Sequence, residues 1–165
     1  MILELNGWRF QVDQDRTMAY SAQELEDRCS RDYCRNFYGA VDGAYPGLRP
    51  FLARFGVEIC APDELMPYTG ELYGAACAVC GQILQKGAGP IVADGVQIWP
   101  QTLEESNINT ACPSPCFVVY TALLELPWVL ETPQEDVVSP ANTPYFLKRM
   151  WQKLLKNAPK DRPCS

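Results

Sequence analysis

The stretch Glu71-Leu72-Tyr73-Gly74-Ala75-Ala76-Cys77-Ala78-Val79-Cys80-Gly81-Gln82-Ile83-Leu84-Gln85 decides how this chain is read. Its residues alternate between two sets, Leu72, Gly74, Ala76 and Ala78 on one side and Tyr73, Ala75, Cys77 and Val79 on the other. Both sets are apolar, so the segment reads as a strand covered on both faces, which is the mark of a central strand. The small residues from Gly74 to Ala78 leave room above it for a closely packed helix or for a ligand. Trp8, Trp99, Trp128, Tyr68 and Tyr73 are the aromatics that could line such a space, or simply build the core.

On the N-terminal side, Leu3 and Leu5 lead into Asn6-Gly7, and Trp8, Phe10 and Val12 then alternate with polar residues. This is the pattern of a β-hairpin closed by a type I′ turn. Ser21 followed by Glu24 has the form of a capping box, and Leu25, Cys29, Tyr33, Phe37 and Ala40 recur behind it at helical spacing, predicting a helix from Ala22 to Ala40. A shorter helix with Leu48, Phe51, Leu52 and Phe55 follows, limited by Pro50 and closed by Gly56. The chain from Pro62 to Thr69 reads as turn. On the C-terminal side, Ile91–Trp99 with a bend at Asp94-Gly95, Phe117–Glu125, and Trp128–Leu130 read as further strands, with Pro100–Pro115 as a loop. Thr143 can cap a last helix that presents Phe146, Leu147, Met150, Trp151, Leu154 and Leu155 on one wide apolar face expected to dock on the sheet.

This order of elements predicts an α+β fold: a mainly antiparallel sheet with two N-terminal helices inserted after a β-hairpin and a C-terminal amphipathic helix. Residues 1–158 are expected to form a single domain and 159–165 a short tail, in keeping with a length of 165 residues. No stretch of the sequence is long and apolar enough for a membrane span, and residues 1–10 lack the features of a signal peptide, so the expected location is cytoplasmic. The net charge of −6 argues against nucleic acid and against an anionic membrane as partners. That charge is unevenly spread. Residues 142–165 hold six cations against one anion, a balance of +5, which leaves −11 for residues 1–141.

The chain contains no histidine. This removes Ser-His-Asp and Cys-His nucleophile pairs, zinc sites with histidine, and the usual proton shuttle near neutral pH. The adjacent carboxylates Asp63-Glu64, Glu104-Glu105 and Glu135-Asp136 are not linked as an acid and a base, and Gly87, Gly89 and Gly95 lack phosphate-loop spacing. Eight cysteines leave a metal or redox reading open. Cys77 and Cys80 have zinc-knuckle spacing, and Cys112 and Cys116 are the candidate second pair, so zinc is a possible cofactor, although no cofactor is required by the sequence. The two readings of this region conflict, because a regular strand places residues three apart on opposite faces. Cys29 and Cys34 lie five apart on the predicted helix, about 140° from one another around its axis, and are poor joint ligands there. Arg28, Arg31 and Arg35 fall at i, i+3 and i+7, able either to hold an anion or to pair with Glu24, Asp27 and Asp32 along a solvated face. Asn36 sits among Cys29, Tyr33, Phe37 and Ala40 on the inner side of the helix, so it is expected to be buried and bonded to backbone.

The segments Asp32-Tyr33-Cys34-Arg35-Asn36-Phe37, Phe51-Leu52-Ala53-Arg54-Phe55-Gly56-Val57, Pro67-Tyr68, Leu126-Pro127-Trp128-Val129-Leu130 and Ser139-Pro140-Ala141-Asn142 resemble a family of small bacterial proteins of Clostridia-like gut anaerobes, a domain of unknown function. The resemblance spans nearly the whole chain and centres on the Cys-Arg-Asn-Phe motif; it implies kinship and brings no activity and no site residue with it. Taken together, the residues point to a non-catalytic domain that binds a protein partner or a small ligand, with Cys34, Arg35, Asn36, Tyr68 and Tyr73 as candidate contacts. The alternative is a cysteine-dependent metal-binding (zinc or iron–sulfur) or redox protein, with Cys77, Cys80, Cys112 and Cys116 as the metal ligands.

Overall fold

The computed structural model describes residues 1–68 and 71–134. The chain opens with a hairpin of β1 (Ile2–Leu5) and β2 (Trp8–Val12). Asn6 and Gly7, at φ 47° and 81°, make the turn, and the type I′ geometry demands this pair of positive values. Three helices follow, α1 (Gln14–Glu26), α2 (Asp32–Ala44) and α3 (Leu48–Ala53), then β3 (Glu64–Pro67) and the long β4 (Leu72–Gln85). A second hairpin, β5 (Ile91–Ala93) and β6 (Val96–Thr102), leads through the single turn α4 (Leu103–Ser106) to β7 (Cys116–Glu125).

All pairings in the seven-stranded sheet are antiparallel, in the order β1-β2-β4-β7-β6-β5, with β3 joined to β4 off this path. The fold is therefore α+β with a mainly antiparallel sheet, as the element order implies. β4 is central because it is long enough to hold two partners along one edge. Tyr73–Ala76 pair with β3 and Gly81–Gln85 with β2, while β7 takes the other edge. Gly81 marks the place where β2 joins: its φ is +145°, and a Cβ there would lie 2.0 Å from the Gln11 carbonyl oxygen.

The main core lies between one face of the sheet and the segment from α2 to α3, while Tyr20 of α1 packs with Ala78 and Cys80. Tyr73, Ala75, Cys77 and Val79 of β4 and Phe117, Val119 and Leu124 of β7 meet Phe37, Ala40, Val41, Leu48, Leu52 and Phe55 from the helical segment. Phe10 stacks on Phe117 with ring centroids 5.3 Å apart and meets Phe55 edge-on at 5.4 Å. Such aromatic clusters contribute to stability beyond the area they bury.

The helical arrangement differs from the expectation in a definite way. The helix expected over 22–40 is two helices, and three rather than two follow the hairpin. α1 starts directly after β2, because the Asp13 side chain accepts from the Arg16 backbone N–H and Thr17 Oγ1 donates to the Asp13 carbonyl. Ser21 and Glu24 thus lie inside α1 and cap nothing, and the chain breaks before Asp32, the first residue of α2. Pro62–Thr69 contains β3, and Pro100–Pro115 begins with the end of β6 and α4. Trp128–Leu130 is not a strand. The amphipathic segment expected from Thr143 to Asn157, with Trp151, and the tail at 159–165 lie outside the described residues. Among the described residues, no helix is long and apolar enough to cross a membrane.

Candidate functional site

The opposite face of the sheet has a different character, built row by row by the register. Trp99 of β6 pairs with Tyr120 of β7, Tyr120 with Ala76 of β4, and Ala76 with Glu64 of β3. On one side of this row Gln101 pairs with Val118 and Val118 with Ala78; on the other Gln97 pairs with Ala122, and Gly74 with Met66. Directly paired residues point to the same face. Small residues of β4 therefore form a floor, with Gln97, Trp99 and Gln101 along one wall and Glu64, Met66 and Tyr68 along the other.

Tyr120 reaches over this floor to bond its hydroxyl to that of Tyr68. Gly74 makes the reach possible, since a Cβ there would lie 1.9 Å from Tyr120 Oη and 2.7 Å from Tyr68 Oη. Burial pushes the Tyr68 hydroxyl up to about 12, and it raises the Glu64 carboxyl above the usual carboxylate range. The opposite wall is the unusual part. Gln97 Oε1, Trp99 Nε1 and Gln101 Oε1 are all buried, and none has a hydrogen-bond partner among the described residues. They come from positions i, i+2 and i+4 of one strand, so all three side chains lie on the same face.

The candidate contacts proposed from the sequence fall into two places. Asn36 is fully buried, and its amide nitrogen donates to Tyr73 Oη at 3.1 Å and to the Pro127 carbonyl at 3.1 Å. Its Oδ1 accepts from the Val129 backbone N–H at 2.7 Å. This amide, bonded to backbone as expected, ties the segment after β7 to α2 and β4. Cys34 lies buried on the same helix, its thiol pushed up to about 12 by burial and then by the neighbouring Cys29 thiol. Arg35 is exposed and bonds Asp32 at 3.1 Å. Tyr68 is on the other face of the sheet from Tyr73, so the five residues do not form one site. The arginines also disperse: Arg28 lies over the Tyr38 ring at 4.4 Å and Arg31 donates to Tyr33 Oη at 3.1 Å.

The cysteines divide as strand geometry requires. Cys77 is buried in the main core, and burial raises its thiol well above the usual value. Cys80 points to the other face, where it clusters with Tyr20, Ala78, Cys112 and Cys116. Cys80 Sγ is 3.4 Å from Cys112 Sγ, and Cys116 Sγ lies 3.8 Å from the Cys112 carbonyl. Among the described residues no group of three or more Cys, Asp or Glu side chains is arranged to hold a metal ion. Asp63 organises this corner: Tyr20 Oη and Thr110 Oγ1 donate to its Oδ1, and the Ala78 backbone N–H donates to Oδ2 at 2.7 Å.

The residues missed by sequence reasoning are Gln97, Gln101, Glu64, Tyr120 and Asp63. The alternation Gln97-Ile98-Trp99-Pro100-Gln101 carried a usable signal, polar groups repeating on one side of a strand. Asp63 carried none, because its partners Tyr20 and Thr110 are remote in sequence. Searches of family models, curated proteins and solved structures find no match to this chain.

Proposed function

We propose that the protein is a non-catalytic binding domain whose ligand is a small neutral molecule bearing hydroxyl groups, held on the second face of the sheet along β6. One observation carries this reading: three buried polar atoms on one side of one strand, Gln97 Oε1, Trp99 Nε1 and Gln101 Oε1, have no hydrogen-bond partner among the described residues. A buried polar atom without a partner costs about 1–3 kcal/mol, so stability alone does not favour keeping three of them together. A hydroxyl group answers both needs, because it donates to an amide oxygen and accepts from an indole N–H. The strand rise of about 3.3 Å per residue spreads Gln97 to Gln101 over about 13 Å, which suits an elongated ligand. The Trp99 and Tyr120 rings supply apolar surface beside these groups. The absence of histidine, which removes the usual proton shuttle near neutral pH, supports binding rather than catalysis.

The test replaces both amides by a side chain of similar length without polar atoms, as Gln97→Met with Gln101→Met. If the amides serve a ligand, the double variant melts at the same temperature as the parent or higher. In the same melts, neutral oligosaccharides and polyols should stabilise the parent and leave the double variant unmoved. A marked fall in the melting temperature of the double variant would show that the amides serve the fold, and equal shifts in both proteins would place binding elsewhere.

A further inference from the structure

We infer that Cys80 and Cys112 form a dithiol–disulfide site that fastens the 107–115 segment to the sheet. The two sulfurs are 3.4 Å apart, and a disulfide needs about 2.05 Å, so side-chain adjustment of about 1.4 Å closes the gap. The backbones on both sides are already held by one residue. Asp63 accepts from the Ala78 backbone N–H, two residues before Cys80, at 2.7 Å, and from Thr110 Oγ1, two residues before Cys112, at 2.5 Å. The Cys80 backbone N–H donates to Thr17 Oγ1 at 3.0 Å, and that of Cys112 donates to Thr110 Oγ1, also at 3.0 Å. The pair is thus positioned by contacts that do not involve the sulfurs.

The oxidant is a small disulfide, RSSR. The Cys112 thiolate attacks one sulfur, the S–S bond of RSSR breaks, and the first RS⁻ leaves. The Cys80 thiolate then attacks the Cys112 sulfur of the mixed disulfide and displaces the second RS⁻. Two protein thiols lose two electrons, one small disulfide is reduced to two thiols, and the two thiol protons pass to the leaving groups. Burial raises the Cys112 thiol, and the Cys80 thiol beside it adds to the rise. A thiol so disfavoured as thiolate is slow to attack but also a poor leaving group, so the bond once formed resists reduction. Its effect reaches the second face, because Ile108 in the fastened segment packs against the cluster of Ala76, Val118, Tyr120 and Ala122.

The experiment uses the full reduced chain incubated with glutathione disulfide, denatured in N-ethylmaleimide, weighed intact and mapped by peptides. The expected product has two fewer alkylated cysteines than the reduced control, a peptide in which Cys80 is joined to Cys112, and a raised melting temperature. In Cys112→Ser, with its fold checked by circular dichroism, that linked peptide and the rise in melting temperature are absent. Full alkylation of Cys80 and Cys112 after oxidation would overturn the inference. So would a lasting glutathione adduct on Cys112, or a bond from either residue to Cys116.

Discussion

Asn36 uses its side-chain amide completely: both donor positions and the carbonyl oxygen are engaged, by Tyr73, Pro127 and Val129. Asn36→Leu keeps the volume but leaves a backbone carbonyl, a backbone N–H and a phenol without their partner, so a loss of about 2 kcal/mol or more is expected in urea unfolding. A variant as stable as the parent would show that water replaces the amide. Glu64 is the opposite case, a side chain held at a cost. Burial raises its native carboxyl above the unfolded value, so the charged form is penalised in the fold. The penalty is fully present above the raised native value and is relieved as pH falls through it toward the unfolded value. Glu64→Gln should therefore melt higher than the parent at pH 7, with the difference vanishing in acid; a lower melting temperature at pH 7 would mean that the carboxylate has a stabilising partner. Asn36 was legible in the sequence because a lone amide on the apolar side of a helix implies a bonded, buried group. Glu64 was not, because its burial depends on a strand pairing with Ala76 that no local pattern announces.

At the scale of elements, the first hairpin and the central strand were readable, since turn chemistry and period-two alternation are local. The Asn6-Gly7 and Asp94-Gly95 turns both have positive φ at each position and each joins two antiparallel strands, so the span Ile91–Trp99, expected as one strand with a bend, is instead a second hairpin. Helix ends were harder. Ser21 and Glu24 have capping-box spacing, yet Asp13 is the cap, because the hairpin runs into α1 with a single residue between them. The apolar repeat across 25–40 also continues over the break between α1 and α2, so periodicity alone joins two helices into one. Asp13→Ala should therefore cost about 1 kcal/mol of stability, the usual loss for an N-cap aspartate. Ser21→Ala should cost clearly less, since its hydroxyl is 3.5 Å from the Glu58 N–H and caps no helix end. Equal losses in thermal melts would restore the serine as a helix start. Trp128–Leu130 was misread for a related reason: its apolar, β-prone residues follow a strand, but the Val129 N–H is taken by Asn36.

Over the whole molecule, β4 separates two environments that differ in chemistry. One side is a closed aromatic and aliphatic core beneath α2 and α3; the other carries the tyrosine pair, the Asp63 corner with Tyr20 of α1, and the glutamine oxygens that lack a partner among the described residues. The sequence announced both faces as apolar, because the β4 residues on each are small or aliphatic, and what distinguishes them comes from β3, β6 and β7. This division gives the cysteines an order of reactivity that tests the architecture. Cys29 is exposed and Cys116 half-buried, whereas Cys34, Cys60, Cys77, Cys80 and Cys112 are buried. Among the described cysteines, alkylation of native protein should therefore modify Cys29 first and Cys116 next. Cys77, whose side chain is enclosed by the main core and whose backbone pairs with Val119 of β7, should react only at the rate of global unfolding, because reaching it means opening that core. Cys80 and Cys112 should react sooner than Cys77, as release of the 107–115 segment uncovers them without opening the main core. Mapping alkylated peptides at increasing urea below the unfolding midpoint measures this order. If Cys77 were labelled together with Cys80, the two faces of β4 would open as one, and the division of the sheet into a stable side and a binding side would fail.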